Sequence, residues 1–246
     1  MQKLAFYNAK GGVGKSTLAT NIAHGLALAD YKVLLIDLDP QNDCSLFLGI
    51  DEDWYSKTFY HLLNYQANLG DCLVQIRKNL DLLPNSNYRG IESILHEEES
   101  NIQTIFSDIL NDLEEYDYVL FDCSPSNTLT NNAILYYVDG LIVPVQLKLA
   151  SVKGISNIYS YLEELGLGSD LIKLIVPNMF DARLNESKDN LKELKDIFEE
   201  DNIVTKPIRR RVKISESANA GQTVFEYGTK AEEQFFPILR EVVNLE

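Results

Sequence analysis

The segment Lys10-Gly11-Gly12-Val13-Gly14-Lys15-Ser16-Thr17 carries the residue types that hold a chain of phosphates. Glycines let the backbone turn tightly and bring N–H groups against phosphate oxygens. A helix beginning near Lys15 directs its positive end at the same anion. Lys15 supplies a point charge for the β- and γ-phosphates, and the Ser16 hydroxyl is placed to ligate Mg2+. The general pattern G-x-x-x-x-G-K-[ST] is not met in full, because position 9 is Ala9. The loop is therefore a variant, with an extra lysine, Lys10, at its start. A glycine-rich turn that binds nothing is the plainer reading of an isolated G-K-S. The whole octapeptide, set between an apolar strand and an amphipathic helix, points instead to a nucleotide. A dinucleotide fingerprint G-x-G-x-x-G is absent, since Thr17 stands where its last glycine would fall.

Two acidic segments follow at places where the ends of strands are expected. Asp37-Leu38-Asp39-Pro40-Gln41 closes a buried apolar run. Carboxylates at i and i+2 of a strand share a face. One is then placed to approach a metal or its waters, and the other to orient an attacking water. An ordinary Asp-Pro turn explains the segment equally well on its own. Its place one helix after the phosphate loop favours the chemical reading. Tyr118-Val119-Leu120-Phe121-Asp122 is an apolar strand ending in aspartate, the form of a Walker B element whose carboxylate supports Mg2+.

These residues need a scaffold, and the hydrophobic pattern supplies one. Strands are expected at Leu4–Asn8, Lys32–Leu38, Leu80–Pro84, Tyr118–Asp122, Leu141–Val145, Leu171–Val176 and Ile203–Ile208. Apolar residues at steps of three and four predict helices over Ser16–Ala29, Ile102–Leu113, Asn127–Tyr137, Val152–Leu165, Ser187–Glu200 and Ala231–Asn244. Pro237 should kink or restart the last of these. Alternating strands and helices imply an α/β fold, a three-layer sandwich around a mostly parallel twisted sheet. No repeat or linker divides residues 1–246, which read as a single domain. Residues 51–101 carry the weakest pattern.

Composition narrows the function further. The chain has 246 residues, 45% of them hydrophobic, enough for a full core without staples. No apolar run approaches a membrane span, and residues 1–8 do not resemble a secretory signal. Three scattered cysteines, Cys44, Cys72 and Cys123, suit a reducing cytosol better than a disulfide framework. None has metal-ligand spacing. The net charge of −15 argues against a general affinity for nucleic acid. Lys206, Arg209, Arg210, Arg211 and Lys213 are a local exception.

Taken together, Lys10–Thr17, Asp37–Gln41 and Asp122-Cys123-Ser124-Pro125-Ser126 resemble the ParA/MinD group of deviant-Walker ATPases, nearest to the Soj-like partition class. Val143-Pro144-Val145-Gln146 with Gly154, Asn178–Arg183, and the stretch from Ile208 to Tyr227 follow in family order. The resemblance implies a P-loop NTPase fold of the deviant Walker A, SIMIBI type, with ATP and Mg2+ as cofactors. It implies that Lys10 reaches the partner's phosphates in a nucleotide-sandwich homodimer, and that Gly11, Gly12, Val13, Gly14, Lys15, Ser16 and Thr17 cradle the nucleotide. Lys15 is then catalytic together with Lys10 and Asp39. Ser16, Asp39 and Asp122 serve the metal and the hydrolytic water, and Asn178 falls in the segment that contacts adenine. Partition relatives bind DNA non-specifically as ATP-bound dimers and respond to a ParB-like partner, so a cytoplasmic, nucleoid-associated protein is expected. Three departures concern the dimer face and C-terminal packing: Lys148 stands where an acidic residue is common, Arg209 where proline is common, and Pro237 interrupts the last helix.

The densest positive cluster of an acidic chain fits phosphate contact, which needs clustered donors rather than base-reading geometry. Arg210, Arg211 and Lys213 are the candidate DNA contacts, with Lys153 and Lys188 weaker. Protection of an exposed edge strand is the alternative. Other functions fit less well. A MinD-like membrane ATPase needs a basic amphipathic C-terminal helix, and Ala231–Glu246 is acidic. A capsule-type tyrosine autokinase needs a C-terminal tyrosine cluster, and Tyr227 stands alone there. An iron–sulfur reductase needs a second cysteine placed to pair with Cys123. A partition mechanism that positions a protein cargo remains compatible with the sequence, whereas retention of Lys10, Lys15, Asp39 and Asp122 argues against a module that binds ATP without turnover. The loop begins so early that an N-terminal helix-turn-helix arm, and with it operator-specific repression, is not expected.

Overall fold

A computed structural model describes residues 1–148, 151–228 and 230–245, and the side chains of 151–153 are not among those described. Lys153 therefore lies outside the described side chains. The strands are β1 (Gln2–Phe6), β2 (Val33–Asp37), β3 (Val74–Arg77), β4 (Leu80–Leu83), β5 (Tyr118–Asp122), β6 (Gly140–Gln146) and β7 (Ile172–Asn178). They form one sheet in the order β3-β4-β2-β5-β1-β6-β7. Only β3 runs antiparallel to its neighbour; the other pairs are parallel. The expected mostly parallel α/β sheet is thus observed.

The helices are α1 (Lys15–Leu28), α2 (Asp43–Phe47), α3 (Phe59–Leu63), α4 (Leu69–Cys72), α5 (Tyr88–Glu97), α6 (Ile105–Ile109), α7 (Leu129–Tyr137), α8 (Ser151–Glu164), α9 (Asn185–Ile197), α10 (Val212–Asn219) and α11 (Phe236–Val243). Alternate residues of each central strand serve opposite faces. Leu4 and Phe6 of β1 pack with Leu18, Ile22 and Leu26 of α1 and Ile238 and Val242 of α11. Ala5 and Tyr7 face the other way, into a core containing Ile91, Phe106, Ile134 and Ile158. Because both faces are covered, β2 and β5 are buried at every position.

The parallel pairing brings the functional strand ends to one edge. Asp37 and Phe6 each stand opposite Asp122, and Gln146 stands opposite Asn178. The chain leaves β1 toward β2 on one side, while β6 lies on the other. In open α/β sheets a ligand crevice forms where the order reverses in this way.

Several elements differ from expectation, among them α5, α10 and the short α2, α3 and α4, where no helix is expected from the sequence. Ile203–Ile208 is not a strand. It touches β7 through an isolated bridge between Ile175 and Val204, with Ile175 N–H donating to the Ile203 carbonyl and Thr205 N–H to the Ile175 carbonyl, and again where Ile208 N–H donates to the Pro177 carbonyl. Pro207 has no N–H with which to continue a ladder. Over Ile102–Leu113 only Ile105–Ile109 is α-helical. Leu110 leaves the helix at φ −108°, ψ 58°, yet Leu110 and Leu113 remain buried, so the apolar spacing reports burial rather than continuous helix. Strand β3 was not expected, because only Ile76 of Val74–Arg77 is buried. Pro237 does restart the last helix: a short 3-10 turn over Lys230–Gln234 precedes α11, with the proline in its first turn.

Candidate nucleotide site

The loop between β1 and α1 takes its shape from glycine. Gly12 and Gly14 have φ of +71° and +98°, left-handed values that suit a residue without Cβ. Gly14 immediately precedes α1, so Lys15 opens the helix and Ser16 and Thr17 follow in its first turn. The loop is braced at both ends. Lys10 N–H donates to Asn8 Oδ1 at 2.9 Å, and Asn8 Nδ2 donates to the Pro144 carbonyl at 2.8 Å. Across the loop, Asn178 Nδ2 donates to the Val13 carbonyl at 2.8 Å.

A cleft of about 330 Å3 opens over this loop, lined by Gly11, Gly12, Gly14, Lys15, Ser16 and Thr17 together with Asp39, Gln41, Asp43, Phe47, Pro125 and Met179. Lys15 is 5% exposed and has no ion pair among the described residues. A buried ammonium without a direct ion pair is costly unless an anion completes it. Lys10, in contrast, is exposed and likewise unpaired among the described residues. A larger apolar groove of about 620 Å3 runs between α1 and α11, but it contains none of the loop residues. Its lining offers one cation, Arg240, and no glycine-rich turn, so it lacks what a phosphate chain requires.

The three aspartates separate into different roles. Asp37 is wholly buried, and both its oxygens are occupied by backbone: Oδ1 accepts from Asp39 N–H and Oδ2 from Cys44 N–H, each at 3.1 Å. Asp37 therefore braces the turn rather than facing the cleft, so only Asp39 keeps the cleft-facing role considered for the pair. Asp39 Oδ1 accepts from Gln41 N–H at 2.9 Å, while its Oδ2 has no partner among the described residues. Asp122 is also fully buried, and its Oδ1 meets no hydrogen-bond donor among the described residues. Burial pushes the Asp122 carboxyl up to about 7, against the pull of the Ser16 hydroxyl. Burial and the adjacent Asp122 carboxylate also raise Asp37 well above the ordinary range. Such a site welcomes a cation: a buried carboxylate oxygen without a donor, beside the hydroxyl of Ser16 and near Asp39, is the hard oxygen set that suits Mg2+.

Three cleft residues had little sequence signal. Asp43 follows Asp39 by four residues, and burial raises its carboxyl while Lys15 opposes the shift. Phe47 and Met179 reach the cleft from α2 and from the turn after β7; Met179 has φ of +57°. A left-handed methionine carries no marker in the sequence.

Asn178 joins the loop and the strand end. Besides its bond to Val13, its Oδ1 accepts from Met179 N–H at 2.8 Å. Beside it, a cavity of about 150 Å3 is bounded by Gly14, Thr17, Met179 and the backbone turn carrying Arg209, Arg210 and Arg211. The basic stretch is not an edge strand. Arg209 makes one bridge to Phe180, and α10 begins at Val212. All five residues from Arg209 to Lys213 are exposed. Lys213 Nζ pairs with Glu216 at 2.7 Å and lies over the Tyr227 ring. Lys188, on α9, is exposed as well.

A glycine cradle between a central strand and its helix, facing carboxylates on two neighbouring strands, defines an α/β P-loop nucleotide-binding protein. A family described as an AAA domain matches residues 1–170. The chromosome partitioning protein ParA of Caulobacter vibrioides is 33% identical over 257 aligned residues, covering 100% of this chain and 95% of that protein. The chain belongs to the ParA family. Among solved structures, an aspartate-to-alanine variant of Cyanothece McdA in complex with ATP superposes with a TM-score of 0.85 at 22% identity, covering 100% of this chain and 97% of that one. The cobyrinic acid a,c-diamide synthase of Mycobacterium smegmatis, with a bound ATP analogue and magnesium, gives 0.79 at 25% identity over 100% and 97% of the two chains.

Proposed function

We propose that this protein is a DNA-partition ATPase, one unit over residues 1–246, that binds Mg2+ and ATP and hydrolyses ATP slowly until a partner acts. The observation that carries the reading is the pair of lysines at one cleft: Lys15 buried and Lys10 exposed, neither in a direct ion pair among the described residues. In this reading Lys15, the loop amides and Thr17 hold the phosphates within one subunit. Lys10 reaches the γ-phosphate of a second subunit, so that nucleotide seals a homodimer. Ser16 and, through water, Asp122 hold Mg2+, which offsets the phosphate charge. Asp39 presents its unpartnered Oδ2 to the attacking water while Gln41 N–H steadies the other oxygen. The adenine lies against the segment beginning at Asn178, in the cavity closed by the arginine turn.

Dimerisation pairs two copies of Arg210, Arg211 and Lys213, which contact DNA phosphates without reading sequence. Hydrolysis removes the γ-phosphate that holds the pair together, and DNA is released. A ParB-like, cargo-bearing partner sets the timing. No described helix is long and apolar enough to cross a membrane. The protein acts in the cytoplasm on nucleoid DNA.

The test is DNA binding measured with ATP, with ADP and with an Asp39→Ala variant, alongside light scattering in a non-hydrolysable analogue. The expected result is an analogue-dependent dimer that holds DNA, and a variant that binds ATP and DNA but does not turn over. A protein that stays monomeric with the analogue, or a Lys10→Ala variant with undiminished assembly and turnover, would overturn the proposal.

A further inference from the structure

Cys44, in the first turn of α2, is wholly buried between two carboxylates. Its N–H donates to Asp37 Oδ2 at 3.1 Å, and its Sγ lies 3.3 Å from Asp122 Oδ2. One ligand atom from each of Asp37, Cys44 and Asp122 falls within 4.8 Å of the others. Each Asp37 oxygen already accepts a backbone N–H, from Asp39 and from Cys44. The thiol is therefore held in place by the backbone, and the carboxylate it meets is the one that supports the metal. The other oxygen of that carboxylate, Oδ1, is buried and has no donor among the described residues.

We infer that Cys44 is a positioning residue for the Mg2+ site: its S–H donates to Asp122 Oδ2 and so leaves Oδ1 to serve the metal's water beside Ser16. The 3.3 Å approach of Sγ to a buried carboxylate oxygen is the contact of a thiol that donates its S–H. A small apolar residue would fill the same space. It would also take from Oδ2 of a fully buried carboxylate its thiol donor, leaving that group less firmly oriented. Partners that orient a metal-supporting group generally change metal affinity by about 10- to 100-fold when removed, and a thiol is a weak donor, so the lower end applies.

The inference rests on the Mg2+–ATP reading above, and the experiment separates the two. A fluorescent ATP analogue is titrated onto the full chain without metal, and Mg2+ is then titrated at fixed nucleotide. Cys44→Ala should raise the half-saturating Mg2+ by about tenfold while leaving metal-free nucleotide affinity close to wild type, and the apo protein, its buried carboxylate short of a donor, should melt at a lower temperature. Cys44→Ser, which restores a donor, should return the Mg2+ response to within about threefold of wild type. Should Cys44→Ala not fold, Cys44→Val supplies the donor-free side chain. Equal Mg2+ responses in all variants, or an equal loss of metal-free nucleotide binding, would overturn the positioning role. Wild-type protein that binds no nucleotide under either condition would overturn the ATPase reading with it.

Discussion

Asn178 occupies the space that a side chain at Gly14 would need: a Cβ built on Gly14 falls 2.3 Å from Asn178 Nδ2. The same nitrogen donates to the Val13 carbonyl, so the end of β7 locks the phosphate loop from outside. Gly14 is thus constrained twice, by its φ of +98° and by the amide pressed against it. Gly14→Ala should cost about 2–3 kcal/mol from backbone strain and displacement of Asn178, and it should reduce ATP affinity by at least about tenfold. Asn178→Ala should weaken nucleotide binding less, because the loop keeps its conformation and loses one brace. Paired melting curves and nucleotide titrations check the order.

Asp122 couples metal binding to pH. Its carboxyl is raised from 3.8 to about 7 on folding, so the folded state holds this proton more tightly than the unfolded chain. The contribution to stability is complete below the unfolded value and is lost as pH rises through the folded one, across the window from about 4 to about 7. Without metal, the protein should melt at higher temperature at about pH 5 than at about pH 8. Asp122→Asn should shrink that difference and raise the melting temperature at the higher pH, while weakening Mg2+ binding. General repulsion in an acidic chain acts in the same direction, so the comparison of variant with wild type separates the buried Asp122–Asp37 pair from the rest of the chain.

The three proposed DNA contacts are not equivalent. Lys213 is already paired with Glu216, whereas neither Arg210 nor Arg211 has an ion pair among the described residues. Arg210→Ala and Arg211→Ala should each lower the slope of log affinity against log salt by about 0.9 for every DNA phosphate left without its cation. Lys213→Ala should lower it less. Glu216→Ala should raise affinity by about two- to fivefold at low salt by releasing Lys213. Filter binding across a salt series distinguishes these outcomes.

Gly49 and Gly221 join the region after α2 to the end of α10. A Cβ on Gly221 would lie 2.6 Å from Gly49 Cα, and Gly221 has φ of +66°. Backbone cannot yield as a flexible side chain does. Gly221→Ala should therefore destabilise the protein by about 2 kcal/mol or more, measured by urea denaturation, without touching the nucleotide cleft directly.

Much of the site could be read from the chain because the phosphate loop is a local structure. Its glycines, Lys15 and Ser16 lie within eight consecutive residues, and the strand before and helix after follow from apolar periodicity alone. The sheet was legible for a related reason: strands buried on both faces, such as Val33–Asp37 and Tyr118–Asp122, must be continuous apolar runs. Elements half-exposed or packed without a ladder left weaker marks. Strand β3 carries too few buried residues to show a strand pattern, and Ile203–Ile208 has such a pattern although it only flanks β7.

What the amino-acid sequence determined by itself was the chemistry of the loop and the alternation that makes an α/β sheet, since both depend on neighbours along the chain. Which carboxylates face the cleft was decided by tertiary structure. Asp37 and Asp39 are two residues apart and look alike in sequence, yet each Asp37 oxygen already accepts a backbone N–H, while Asp39 and Asp122 each keep an oxygen free of donors among the described residues. The placement of Cys44 against Asp122, and of Asn178 against Gly14, likewise spans 78 and roughly twice as many residues of chain. Such contacts arise from parallel register and packing between distant segments, and no local pattern encodes them.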